Sequence, residues 1–230
     1  MPSSLILRPI KEQKLELPLK KARVLGHLFF DGSVFVKDYH YTISYVNSSY
    51  YLIIQFILDI HEIYGLLPSS FEINRGKSNL IFRVKYYSKE LYVDVTKYSK
   101  SYHTCDMDII PNCILNGSKK IKLEFLKSFW EDEGSLTLKN RFKISADLKN
   151  YNFMNQLGLL HKQFGIDYTI SKYEHKKQLY YKLFLKINKE NVNTFFKLGL
   201  FELSAFSGGE YVGLRKIDVL RKIMNIRGYI

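Results

Sequence analysis

The feature that most constrains this chain is an internal repeat. Residues 22–32 read ARVLGHLFFDG and residues 124–134 read EFLKSFWEDEG, almost half of the 230-residue chain apart. Each stretch has the apolar spacing of a helix and ends in an acidic residue and a glycine. A serine and an alternating segment follow each of them, SVFVK in the first copy and SLTLK in the second. Alternation of this kind indicates a half-buried β-strand.

The repeat continues through five more elements. A second strand is predicted over residues 41–46 and 141–146, and a helix closed by glycine over 49–65 and 149–165. A strand–turn–strand hairpin follows, with polar turns at 76–79 and 174–178, and then a shorter helix at 89–100 and 189–198. Chance similarity would not reproduce seven elements in order. The sequence therefore predicts an α+β fold built from two αββαββα halves related by a pseudo-two-fold axis.

The repeat also divides the chain. We expect an N-terminal extension over residues 1–18, a first half over 19–100, and a second half over 119–230. Residues 101–118 contain Pro111, Asn112 and Gly117 with weak periodicity, which favours a linker. The second half should end in an amphipathic helix over residues 210–226.

The charge balance indicates the class of partner. Lys and Arg outnumber Asp and Glu by 35 to 22, for a formal charge of +13 and a pI near 9.5. Such an excess favours a polyanionic partner, most simply nucleic acid. No apolar run approaches the ~20 residues that would cross a bilayer, and no signal-peptide pattern is evident at the N-terminus. We expect an intracellular protein, in cytoplasm, nucleoid or organelle matrix, with no membrane partner.

The paired motifs resemble those of a known family. Gly26, Asp31 and Gly32 in the first copy and Glu133 and Gly134 in the second match the motif of the monomeric LAGLIDADG homing endonucleases. Serine stands at position 128, where that family usually has Gly or Ala. The resemblance covers roughly residues 19–226. It implies antiparallel sheets that form a DNA-binding saddle, with the motif helices packed at the seam between the halves. It also implies an intron-encoded monomer that cleaves double-stranded DNA at a long, non-palindromic site.

The motif positions have a physical meaning. Small residues at Gly26 and Ser128 would let two helix backbones approach closely, so that Asp31 and Glu133 meet at the bottom of the seam. Two acids at helix C-termini are unfavourable, because each faces the negative end of a helix dipole and they repel one another. Divalent cations would relieve both effects. The resemblance implies that Asp31 and Glu133 are the catalytic metal ligands, one from each half, for Mg²⁺ or Mn²⁺ in two-metal phosphodiester hydrolysis.

Two further acids adjoin the second motif. Glu131 and Asp132 precede Glu133, but consecutive helical residues face different directions. We therefore expect Glu133 alone to enter the seam, with the other two solvated or hydrogen-bonded.

The resemblance also implies a basic residue near the metals, and here the sequence leaves a question open. Lys37 and Lys143, on the early strands, are the best candidates, while Leu136 occupies the position three after Glu133. This gap puts cleavage in doubt more than DNA binding.

Basic residues recur on the polar face of the predicted strands in both halves, where a β-ribbon can enter the major groove of DNA. The candidate DNA-binding residues are Arg75, Lys77, Arg83, Lys85, Lys139, Arg141, Lys172, Lys176, Lys177, Lys182 and Lys186.

Two alternative functions remain open at this stage. One is a LAGLIDADG-derived protein without catalysis, either a DNA-binding regulator or an RNA-splicing maturase with intron RNA as its partner. The other is a basic structural or protein-interaction domain with no nucleic-acid partner.

Overall fold

A computed structural model describes residues 16–76, 79–103, 106, 109–138 and 141–230. Most of the predicted N-terminal extension, together with Lys77 and Lys139, lies outside these ranges.

The observed elements follow the predicted order. The first half contains α1 (Leu19–Phe30), β1 (Gly32–Lys37), β2 (His40–Asn47), α2 (Tyr50–Tyr64), β3 (Ser70–Arg75), β4 (Leu80–Tyr87) and α3 (Lys89–Thr96). The second half contains α5 (Lys119–Glu133), β5 (Gly134–Thr137), β6 (Lys143–Leu148), α6 (Tyr151–Gln163), β7 (Tyr168–His175), β8 (Gln178–Leu185) and α7 (Lys189–Lys197). A short helix, α4 (Asn112–Leu115), lies in the predicted linker, and α8 (Lys216–Ile226) closes the chain.

The two sheets have the same topology. Their strand orders are β1-β2-β4-β3 and β5-β6-β8-β7, with every neighbouring pair antiparallel. Two of the hairpin turns consist of two residues with positive φ, Asp38–Tyr39 and Lys176–Lys177, as in a type I′ turn, whose twist matches the strands it joins. The predicted α+β fold with duplicated αββαββα halves is confirmed.

The last helix is shorter than the sequence predicted. It begins at Lys216 rather than near residue 210. The preceding residues fold back on themselves, because Ala205 pairs with Arg215 in an antiparallel bridge and Gly213 takes a positive φ of 82°. A left-handed backbone cannot continue a right-handed helix, so the amphipathic pattern before Lys216 does not extend it.

The motif helices α1 and α5 form the seam between the halves. A Cβ added at Gly26 would lie 2.6 Å from Ser128 Cβ, so only glycine allows this approach of the two backbones. The Ser128 hydroxyl donates a hydrogen bond across the seam to the Arg23 carbonyl at 3.0 Å. Apolar side chains pack around this contact and are fully buried, among them Val24, Leu25, Leu28, Leu126 and Phe129.

A charged cluster ties three helices together near the start of the seam. The Arg23 guanidinium donates to both oxygens of Asp59 on α2, at 2.7 and 2.8 Å, and to Glu124 on α5 at 2.6 Å. Removing one partner would leave the others buried and uncompensated, so the cluster fixes how these helices dock. Within the described ranges, no helix is both long and apolar enough to cross a membrane.

Candidate active site

A polar cavity of about 540 Å³ opens where α1 and α5 end. Asp31, Glu131, Asp132 and Glu133 all line it, so the ends of the two motif helices bring four carboxyl groups together. The remaining lining residues are 134–136 at the start of β5, Asn47 and Ser48, residues 205–208, and Lys216.

Asp31 and Glu133 occupy corresponding positions. Asp31 caps α1 through its backbone N–H, which donates to the His27 carbonyl, and Glu133 is the last residue of α5. Burial, followed by the neighbouring Asp132 charge, raises the pKa of Asp31 to about 8. Burial and then the Asp31 charge raise the pKa of Glu133 well above its ordinary value. Lys216 opposes both shifts but does not cancel them, so negative charge is in excess at the ionised site, the condition under which a carboxylate pair takes up a cation.

These two carboxylates have free coordination positions. Asp31 accepts one hydrogen bond, from Asn47 Nδ2 at 3.0 Å, and no protein donor in the described part of the chain bonds the Glu133 carboxylate. The described residues contain no group of three or more His, Cys, Asp or Glu arranged to hold a metal by themselves. Mg²⁺ often takes only one or two protein carboxylates and completes its octahedron with substrate phosphates and water. The donor set therefore fits an ion that is shared with a phosphodiester.

Asp132 differs from the expectation that only Glu133 would enter the seam. Its side chain is fully buried and crosses to the first half of the chain. It lies 2.8 Å from His27 Nδ1, and it accepts from the Tyr45 hydroxyl at 2.6 Å and from Asn47 Nδ2 at 3.1 Å. Asp132 is thus hydrogen-bonded, one of the two predicted alternatives, but the prediction that it would stay out of the seam was wrong. Helices α1 and α5 lie so close together that its side chain reaches residues of the first half.

The contact between Asp132 and His27 is a hydrogen bond rather than an ion pair. Burial lowers the pKa of His27 to about 4, so its imidazole is neutral at physiological pH. Burial also raises the pKa of Asp132 well above its ordinary value. The network keeps both groups satisfied without requiring a buried positive charge.

Glu131 is also hydrogen-bonded rather than solvated. Its two carboxylate oxygens accept from the backbone N–H groups of Leu203 and Ser204, at 2.8 and 2.6 Å. Glu131 therefore anchors the segment that leads to α8. Its pKa is raised to about 7, first of all by burial.

The basic residue in this cavity is Lys216, at the start of α8, and not either of the two predicted candidates. Lys37 ends β1, five residues from Gly32, and so lies on the order of 16 Å along the strand from the acids. Lys143 pairs with Thr137, about 10 Å beyond Gly134. Neither lysine lines the acidic cavity.

A sequence signal for Lys216 did exist. Val219, Leu220 and Ile223 follow it at helical spacing, which places the lysine on the apolar face of its own helix. A lysine is buried at such a position only when an acceptor or an opposite charge is available.

The predicted DNA-binding residues fall into two groups. Arg83 and Lys85 both pair with Glu72 on the neighbouring strand, and Lys182 pairs with Asp147 at 3.0 Å. A second group is exposed and makes no ion pair within the described structure: Arg75, Arg141, Lys172, Lys176, Lys177 and Lys186. All but one of this second group lie in the second half of the chain.

Comparisons with known proteins agree with this architecture. Residues 120–198 match the sequence model of the LAGLIDADG-like domain. No curated protein sequence matches the chain. Among solved structures, the homing endonuclease I-DmoI in complex with DNA and Ca is 18% identical, with a TM-score of 0.57 over 89% of this chain and 97% of that one. I-DmoI in complex with DNA and Mn is 19% identical, with a TM-score of 0.55 over 78% of this chain and 96% of that one.

A further neighbour is full-length DUF199/WhiA from Thermatoga maritima, which is 15% identical, with a TM-score of 0.55 over 91% of this chain and 60% of that one. At these identities, the structural likenesses show a shared fold. The second half of the chain therefore contains a LAGLIDADG-like domain, and the chain as a whole has the two-half fold of I-DmoI. The resemblance inferred from the motifs is confirmed.

Proposed function

We propose that this protein is a site-specific endonuclease that hydrolyses both strands of DNA with the help of a divalent metal ion. The observation that carries the proposal is the meeting of Asp31 and Glu133, one from each half, in a single polar cavity at the seam. Two acids at helix C-termini destabilise the fold unless positive charge compensates them, which favours a role in binding cations.

Asp31 and Glu133 would hold Mg²⁺ or Mn²⁺ together with the scissile phosphates. Bound there, the metal would activate water and stabilise the departing oxygen. The chain's own part is to fix the two carboxylates. Asn47 donates to both Asp31 and Asp132, at 3.0 and 3.1 Å, and so holds the first-half acid in register with the end of α5.

The sheets supply the DNA-binding surface. Exposed lysines and arginines on β7, β8 and the adjoining turns are available to contact phosphates, in keeping with the net charge of +13. Because the two halves differ in sequence, the site should be non-palindromic and about two helical turns long, ~20 base pairs. The I-DmoI neighbours were solved with DNA and with Mn or Ca, which supports the same partners here, bound by a monomer.

A plasmid experiment tests this function. The substrate is a supercoiled plasmid carrying the host sequences that flank the open reading frame, joined as they would be without the insertion. We expect linear product with Mg²⁺ or Mn²⁺ and none with EDTA. A plasmid without the joined sequence should stay intact at the same protein concentration.

The other outcomes separate the alternatives. Sequence-specific binding without linear product in any divalent metal would contradict the nuclease and identify a DNA-binding regulator. Preferential binding of the flanking intron RNA would identify a maturase. Failure to bind either nucleic acid at low salt would leave only a structural role, because non-specific electrostatic affinity is then at its highest.

A further inference from the structure

The segment between α7 and α8 folds over the acidic cavity. Phe206 donates to the Leu214 carbonyl and Gly213 donates to the Phe206 carbonyl, both at 3.0 Å, so residues 205–215 form a closed loop. Part of this loop, residues 205–208, lines the cavity wall. Both ends of the loop are tied down beside the acids, since Glu131 accepts from Ser204 and the Lys216 N–H donates to the Ser204 carbonyl at 2.8 Å.

Lys216 points inward from the base of this loop. The residue is 8% exposed, its ammonium donates to the Gly134 carbonyl at 2.6 Å, and the ammonium lies 5.2 Å from the centre of the Phe201 ring. Gly134 directly follows Glu133. The C-terminal helix thus delivers a positive charge to the end of α5, where the negative pole of that helix and the acids coincide.

The charged groups that act on Lys216 are acidic. Glu131, Asp132, Asp31 and Glu133 all act on it electrostatically. Three other titratable groups lie close to the acids: His27, which burial keeps neutral, the Tyr45 hydroxyl, which donates to Asp132, and Asp147, whose charge acts on Glu133. None of the three is cationic. Among the described residues lining the cavity, Lys216 is the only basic one. Burial lowers the pKa of its ammonium, and the four carboxylates act in the opposite direction.

A buried ammonium in this position affects any second cation. A divalent metal held by Asp31 and Glu133 gains from the carboxylates but is repelled by the fixed Lys216 charge, and the low local dielectric strengthens both terms. A lysine on the protein surface would affect the metal much less, because solvent and salt screen exposed charges.

We propose that Lys216 is an internal counter-ion of the acid cavity, which competes with divalent metal for the carboxylates and weakens metal binding by the DNA-free protein. The inference rests on the proposed metal site. Bound DNA adds phosphates as further ligands, so the metal would be retained only when the substrate is in place.

The test is calorimetric titration of the full chain with MnCl₂, without DNA, at one fixed pH. Lys216→Gln removes the charge but keeps an N–H donor for the Gly134 carbonyl. We expect it to bind Mn²⁺ on the order of tenfold or more tightly than the unmodified protein. Lys216→Arg keeps the charge and should bind as weakly as the unmodified protein. Lys222→Met, at an exposed position of the same helix, is the matched control for net charge and should change nothing.

A second measurement, of thermal unfolding, keeps the test informative if Lys216→Gln destabilises the fold. If Lys216→Gln unfolds more easily, Mn²⁺ should raise its Tm clearly more than it raises that of the unmodified protein, because a ligand stabilises the state that binds it. Equal affinities and equal Tm shifts for Lys216→Gln and the unmodified protein would overturn the inference, as would an equal gain in Lys222→Met. Plasmid cleavage by the unmodified protein, together with unchanged Mn²⁺ affinity in Lys216→Gln, would refute only the counter-ion. Tighter Mn²⁺ binding by Lys216→Gln, together with no cleavage by the unmodified protein, would refute only the nuclease.

Discussion

The two motif helices end at equivalent places in the repeat, but the side chains at their C-termini differ. Helix α1 ends in Phe29 and Phe30 and is capped by Asp31, whereas α5 ends in Glu131, Asp132 and Glu133. The first half therefore brings one acid and the neutral polar partners of Asp132, and the second half brings three acids. The two halves therefore share a backbone fold, while side chains at equivalent positions make different contacts.

The same asymmetry extends to the sheets. In the first half, Arg83 and Lys85 share one acidic partner, Glu72, whereas most of the basic residues on the second sheet are exposed and unpaired within the described structure. A pseudo-symmetric fold can thus bind an asymmetric ligand, because each half contributes a different share of charge. Substitutions at paired positions of the two halves test this division of tasks.

The largest effect is expected at the acidic pair where the two motif helices end. Asp31→Asn and Glu133→Gln should each lower the rate of plasmid cleavage by about 10²–10³-fold or more, because a metal contributes several kcal/mol to the transition state. Affinity for DNA, measured by gel shift in Ca²⁺, should stay within a few-fold.

Asp167→Asn, at a surface acid paired with Lys162, is the control and should cleave normally. Full activity in either motif variant would remove that acid from the metal site.

The next effect concerns Phe30 and Asp132, which are equivalent in the repeat but differ in chemistry. Asp132→Ala would leave the Tyr45 hydroxyl, Asn47 and His27 without their buried acceptor, and should lower the free energy of unfolding by about 3 kcal/mol. Urea denaturation measures this loss. Asp132→Asn keeps an oxygen for Tyr45 and should lose less. A loss below about 1 kcal/mol in the alanine variant would mean that the network does not hold the halves together.

Gly26 and Ser128 form the closest contact between the halves. Gly26→Ala should cost about 1–2 kcal/mol, since its methyl would overlap Ser128 despite the better helix propensity of alanine. In a Ser128→Gly background, the same substitution should cost nothing or stabilise the fold. A double-mutant cycle by thermal or urea unfolding measures the coupling, and additive effects would contradict the contact.

His161 and His61 occupy equivalent turns of α6 and α2, but only His161 is buried. The Trp130 indole donates to its Nε2 and its Nδ1 contacts the Leu157 carbonyl, both at 2.6 Å, and burial lowers its pKa to about 4. The unfolded chain therefore binds a proton at higher pH than the folded one, so stability from His161 is complete above its unfolded pKa and is lost as the pH falls from ~6.5.

We expect the stability difference between the unmodified protein and His161→Gln to shrink by about 2 kcal/mol between pH 6.5 and 5. Urea unfolding at the two pH values measures it, with His61→Gln as the control. A pH-independent difference would show that the imidazole does not titrate in this range.

The smallest effect compares lysines of the two sheets. Lys186→Ala, in the second half, should lower the slope of log affinity against log salt concentration by about 0.9, the value for one phosphate contact. Lys85→Ala should change the slope less, because Glu72 already neutralises that ammonium. Titrations at several salt concentrations measure both slopes, and a larger change for Lys85→Ala would reverse the assigned roles of the sheets.

Part of the candidate site could be predicted from the sequence. The repeat pointed to Asp31, Glu133, Gly26 and Ser128, because a motif and its spacing can be recognised in the sequence without knowing how the helices pack. Lys216 was missed, since the decisive fact is that its helix returns from the end of the chain to the end of α5. Asp132 was expected to face away from the seam because a single helix viewed alone does not show how close its neighbour stands.

The repeat and its hydrophobic periodicity by themselves determined the order of elements, the two halves and the helices that meet at the seam. These follow from the sequence because each element needs one apolar face to bury, and two copies of the same pattern bury theirs in the same way. Only the tertiary structure decided which polar side chains compensate one another, in the contacts of Asp132 with His27 and Tyr45 and of Lys216 with the end of α5. Burying a charge or a hydrogen-bond donor without a partner costs free energy. The partner is the group that packing brings within about 3 Å, and that group can be far away in the sequence.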